Sequence, residues 1–132
     1  MIEITRRAYF SASHRLHSPQ LPDDQNCELY GCCNALHGHN YWVDVTLRGE
    51  VDPRTGMVMN LDHLNALIQR EIISQVDHRN LNDVPMLKGR ITTAETLAVQ
   101  FWNALAPHLA EGLLCEVRVY ETPENSAAYR GE

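Results

Sequence analysis

His37 and His39 lie one residue apart in "CCNALHGHNYW", residues 32–42, just after the vicinal thiols of Cys32 and Cys33. Imidazole nitrogen and thiolate sulfur are the ordinary protein ligands of zinc, and a thiolate is also a base or nucleophile. Residues i and i+2 of an extended strand share a face, so the two imidazoles point the same way. Downstream, Tyr41, Val43, Val45 and Leu47 alternate with Trp42, Asp44, Thr46 and Arg48, which predicts a strand with the histidines at its mouth, on the more apolar side. His14 falls on the apolar parity of an earlier alternating run. Consecutive strands are usually neighbours, so the three imidazoles can meet around one zinc ion. Three imidazoles and a water make a catalytic arrangement, whereas a fourth protein ligand makes a closed, structural one.

Cys33, four residues before His37, fits either version: it can complete the ligand set, or act as a thiolate base whose pKa a nearby cation lowers. Spacing leaves both open. Cys32 beside it points elsewhere. Asp77 and His78 form an acid–imidazole pair at a helix end, readable as a solvated cap or as a proton relay. Glu121 shares its parity with Cys115, Val117 and Val119, and a carboxylate on an apolar face needs a partner unless the strand frays before Pro123.

Positioning these groups requires a small set of elements. Residues 2–14 alternate as a first strand, and the Pro-, Asp- and Asn-rich stretch "HSPQLPDDQN" reads as a loop leading to the second strand, which runs to about Glu50. "DPRTG" is a turn. Leu61, Leu64, Leu67, Ile68, Ile72 and Val76 have the spacing of an amphipathic helix, ended by "DHRNLNDVP". A second helix starts in "TTAETLAVQFWNALAPHL", with Thr92 and Glu95 as a capping box, Leu97, Phe101, Leu105 and Leu109 as its apolar stripe, and Pro107 at its end. "LLCEVRVYE" and "ENSAAYRGE" return to period two on either side of a turn at Pro123. The order ββααββ predicts an antiparallel α+β domain with both helices on one face of a four-stranded sheet.

The chain has 132 residues, enough for one domain, residues 1–132, that buries roughly two-thirds of its unfolded surface. A net charge of −6 and a single lysine, Lys88, argue against nucleic acid or a membrane surface as partner. No apolar run reaches the ~18 residues of a membrane span and the N-terminus lacks an apolar signal core, so a soluble, cytoplasmic protein is expected. In that compartment the four cysteines are thiols rather than a disulfide framework.

"FSASHRL", "CNALHGHNY", "GMVMNLDHL", "VDHRNLND" and "YETPENSAAYRGE", in this order over nearly the whole chain, resemble the 6-pyruvoyltetrahydropterin synthase family and its relative, 6-carboxytetrahydropterin synthase. The resemblance implies a tunnelling fold, trimers that close a β-barrel, and two trimers stacked into a homohexamer with active sites at subunit interfaces. It implies a zinc-dependent lyase acting on a small-molecule substrate, 7,8-dihydroneopterin triphosphate, in tetrahydrobiopterin biosynthesis, or in queuosine biosynthesis for the carboxy enzyme. By motif, His14, His37 and His39 would hold Zn2+, Cys33 would be the general base, and Asp77 and His78 would reach in from a neighbouring subunit as the second acid–base group. Glu121 would anchor the pterin, with Thr93 and Glu95 near the same pocket. The three residues between Cys33 and His37 are spaced as in the carboxy enzymes, whereas the long loop from His14 to Cys33, "MVMNL" and "YETPEN" resemble the pyruvoyl type. Ala94 stands where animal enzymes have a second threonine. Two rivals are a sister pterin enzyme of the same fold, such as an aldolase or cyclohydrolase, and a non-catalytic zinc-binding protein with Cys33 as fourth ligand.

Overall fold

The computed structural model describes residues 1–132. The alternating N-terminal run forms β1 (Ile2–His14), which pairs antiparallel with β2 (His37–Gly49) over its whole length, from Ile2 opposite Gly49 to His14 opposite His37. β2 also pairs antiparallel with β4 (Leu114–Tyr120), and β4 with β5 (Ser126–Tyr129). These are the four strands expected. A two-residue strand, β3 (Arg79–Asn80), runs parallel to β1 at Ala12 and Ser13 and completes the sheet order β3-β1-β2-β4-β5.

Helices cover one face. The apolar spacing from Leu61 yields α2 (Leu61–Ile68), a π-helical segment (Gln69–Ile73) and α3 (Ser74–Val76) in unbroken succession. The π segment inserts an extra residue into the turn. Neighbouring Ile72 and Ile73 are both buried. α4 (Ala94–Leu105) buries Leu97, Phe101 and Leu105 and passes into a short 3-10 turn containing Pro107. Its N-cap is Thr93, whose hydroxyl accepts the amide of Thr96, and not the expected Thr92. Thr92 is completely buried and engaged elsewhere.

Two further readings change. α1 (Asp23–Tyr30) begins inside the stretch expected to be a loop and runs past its end. This helix has no apolar stripe; the buried Asn26 holds it, accepting from the Ser18 amide and donating to the carbonyls of Ser18, Leu21 and Pro22. Cys115 does not belong to the inner row of β4, because Thr46 faces Glu116 while Leu47 faces Leu114. Cys115 is the extra residue of a β-bulge, and Leu114 takes the buried place.

The core lies between the helices and the inner parity of the sheet. Phe10 stacks on Tyr41 across β1 and β2, with ring centroids 4.6 Å apart, and meets Phe101 of α4 edge-on at 5.9 Å. This aromatic layer is the floor of the site described next. No helix is long and apolar enough to cross a membrane.

Candidate functional site

Register brings the site together. His14 ends β1 directly opposite His37, and Ala12 faces His39. On the other side of β2, Trp42 pairs with Tyr120, so Glu121, the next residue, comes level with Tyr41 on the inner parity. The Glu121 amide donates to the Asn125 carbonyl and Thr122 Oγ1 accepts the amides of Glu124 and Asn125, closing the turn that fixes this carboxylate.

Three adjacent strands therefore contribute His14, His37, His39 and Glu121, whose ligand atoms all lie within 4.8 Å of one another. Glu121 Oε1 is 3.3 Å from Nε2 of both His14 and His39. His14 is wholly buried, and the other three are half-buried. The ring orientations follow from acceptors at Nδ1. His14 Nδ1 lies 2.9 Å from the Thr92 carbonyl oxygen, and His37 Nδ1 lies 2.8 Å from the Ala35 carbonyl oxygen. A carbonyl oxygen can only accept, so in the neutral form of either ring the proton sits on Nδ1 and the lone pair on Nε2.

Nε2 of His37 and Nε2 of His39 are buried without a hydrogen bond. Such groups are rare in folded proteins and call for an explanation. Burial pushes the pKa values of His14 and His39 down, favouring the neutral form of both rings. Imidazole nitrogens left without partners and gathered beside a carboxylate fit a bound cation. The group can hold a metal ion.

Cys33 is outside that group. It sits in the 3-10 turn Gly31–Asn34 leading toward β2, where its carbonyl accepts the Leu16 amide at 2.8 Å. This bond ties the turn to the chain just past His14. Cys33 is half-buried and Cys32 exposed, so the two thiols occupy different environments. Burial, and next the Cys32 thiol, push the Cys33 thiol up.

Asp77 and His78 lie on the far side of β1 from β2. Asp77 Oδ1 accepts the Ser11 amide at 3.0 Å and is 3.0 Å from His78 Nδ1, while the His78 amide donates to the Ser11 carbonyl at 2.6 Å. His78 has φ 58°, unusual for a residue with a side chain, and its imidazole is 83% exposed. An open groove of about 440 Å³, lined by Ser11, Ser13, Asn40, Arg79 and both His39 and His78, joins this pair to the edge of the histidine cluster. Thr93 is committed to its capping bond and Glu95 is exposed.

Two neighbours of the cluster are not among the residues the sequence assigns to the site. Thr92 reaches His14 Nδ1 with both its carbonyl and its hydroxyl, and the hydroxyl of buried Tyr41 is 3.3 Å from His14 Nε2. Tyr41 shares the parity of His37 and His39, a signal available in the sequence; Thr92 is 78 residues from His14 and gives none.

The 6-pyruvoyl tetrahydropterin synthase family model matches residues 3–132. The chain belongs to this family. It is 50% identical over 132 residues to the 6-pyruvoyl tetrahydrobiopterin synthase of Poecilia reticulata, covering 98% of this chain and 90% of that protein. The Homo sapiens enzyme of the same name is 47% identical over 133 residues, with 98% and 92% covered. The solved structure of Caenorhabditis elegans 6-pyruvoyl tetrahydropterin synthase superposes with a TM-score of 0.93 at 41% identity, covering 99% of this chain and 96% of the other. The five-stranded α+β architecture is thus the family's own.

Proposed function

We propose that this chain is a zinc-dependent carbon–oxygen lyase that converts 7,8-dihydroneopterin triphosphate to 6-pyruvoyltetrahydropterin and releases triphosphate. The observation that carries the reading is the convergence of the His14, His37 and His39 Nε2 atoms beside Glu121, in a member of this family. His14, His37 and His39 hold the metal. When bound, zinc supplies a Lewis acid that polarises the substrate side-chain oxygen and acidifies the adjacent C–H.

The protein's own groups do the rest. Cys33 Sγ, as thiolate, removes the side-chain proton. Asp77 at His78 Nδ1 keeps that nitrogen protonated and leaves Nε2 free to move a second proton. The exposure of His78 on its own chain supports a role across a subunit interface, within a homohexamer of two trimers. The Glu121 carboxylate accepts hydrogen bonds from the pterin ring N–H and amino group, and Thr93 and Glu95, at the start of α4, border the same pocket.

The short spacing from Cys33 to His37 favours a second reading, 6-carboxytetrahydropterin synthase acting on the same substrate. A structural zinc site completed by Cys33 is not supported, since the fourth group beside the histidines is Glu121. Incubation of the zinc-loaded protein with 7,8-dihydroneopterin triphosphate, followed by mass spectrometry, tests the proposal. The expected products are 6-pyruvoyltetrahydropterin and triphosphate. 6-Carboxytetrahydropterin would establish the second reading, and unchanged substrate would overturn both.

A further inference from the structure

Asn82 and Thr92 take no part in the chemistry above, yet they connect to the buried histidine of the cluster. Thr92 presents two oxygens to His14 Nδ1, its carbonyl at 2.9 Å and its Oγ1 at 3.2 Å, and both residues are 0% exposed. Asn82 Nδ2 donates to the same Oγ1 at 3.4 Å. The Asn82 amide also grips the residue after His14, with Oδ1 accepting the Arg15 amide at 2.8 Å and Nδ2 donating to the Arg15 carbonyl at 3.2 Å. One primary amide thus holds both the backbone next to His14 and the residue that receives the ring proton of His14.

We propose that Asn82 and Thr92 are positioning residues of the metal site, locking the ring angle and tautomer of His14 so that its Nε2 lone pair faces His37, His39 and Glu121. The inference rests on the metal-site reading. A neutral imidazole has two tautomers, and only the one protonated on Nδ1 can ligate through Nε2. For His37 the choice is made locally, by a carbonyl two residues away. His14 depends instead on a segment 78 residues distant, which must be fixed against the end of β1. Asn82 supplies that fixation: its loop and the entry to α4 are held to β1 through one side chain. Partners that orient a metal-ligating histidine in this way are typically worth 10–100-fold in metal affinity.

The test uses full-length Thr92→Val, Thr92→Ser, Asn82→Ala and Asn82→Asp proteins. Zinc affinity is measured by competition with a chromogenic chelator, and the His14 tautomer by 15N NMR of the metal-free imidazole. In the wild type, His14 is expected to be protonated on Nδ1. Thr92→Val and Asn82→Ala should each weaken zinc binding by about 10-fold or more. They should also mix the His14 tautomers, with the His37 tautomer unchanged. Thr92→Ser, which restores the hydroxyl, should return both readouts to wild type. Asn82→Asp keeps the acceptor for Arg15 but loses both donors, so it should fall in between and covers the case in which Asn82→Ala does not fold. Unchanged zinc affinity in Thr92→Val and in the folded Asn82 variants, or a wild-type His14 protonated on Nε2, overturns the proposal. A wild-type protein that binds no zinc, but whose His14 tautomer responds to Thr92→Val, overturns the metal reading and leaves the lock standing.

Discussion

Cys33 and Cys32 are adjacent thiols, and only Cys33 has the half-buried setting and the tether beside His14. Replacing Cys33 with Ala should lower turnover by at least about 10²-fold, the low end for general acid–base catalysis, while zinc content is kept. Cys32→Ala should remain close to wild type. Metal analysis and steady-state rates on the two variants check this; loss of zinc from Cys33→Ala would make the thiol a ligand. Asp77 carries a pH dependence of its own. The hydrogen bond from the Ser11 amide, and then the neighbouring His78, hold its carboxyl below the ordinary value of 3.8. The unfolded chain takes up this proton more readily than the folded one, so the contribution is present above 3.8 and lost as the pH falls through the lower folded value. Asp77→Asn should flatten the acid limb of a plot of Tm against pH below about pH 5. A limb as steep as that of the wild type would mean that the Ser11 bond stabilises nothing.

At the scale of elements, the entry to α4 divides two jobs between adjacent threonines. Thr93 caps the helix, and Thr92 turns inward to His14. Thr93→Ala should therefore cost about 1 kcal/mol, the usual value of an N-cap, read as a lower urea midpoint with zinc affinity unchanged. A loss of zinc affinity in Thr93→Ala would show that the two roles are not separable.

The whole molecule leaves two sheet edges open. β3 covers β1 only at Ala12 and Ser13, and β5 pairs only with β4. Unpaired edges of this length are commonly closed by another chain. Light scattering should give about six times the 15.0 kDa chain mass if the homohexamer forms. If the site draws Cys33 from one subunit and His78 from its neighbour, inactive Cys33→Ala and His78→Ala proteins should complement each other after mixed reassembly. Up to about a quarter of the sites would then carry both intact groups. No recovery of activity in verified mixed oligomers would place both groups on one subunit.

Strand parity, written directly in the sequence, was enough to put His14, His37, His39 and Glu121 on one inner face, because side-chain direction alternates strictly along an extended chain. Apolar spacing indicated the two helices, and the order of elements put both on one face of the sheet. Parity fixes direction but not distance: that Glu121 stands 3.3 Å from two imidazoles depends on the register of β2 with β4 and on the turn at residues 121–125. The capping-box pattern gave the helix start one residue early, because local propensity cannot register that Thr92 has a buried partner 78 residues away. α1 was missed for a related reason, having no apolar stripe and being held by the side chain of Asn26. Local pattern thus determined which residues face the core. The long-range hydrogen bond from His14 Nδ1 to the Thr92 carbonyl, which forms only once distant segments pack, decided which nitrogen of that histidine is free to bind.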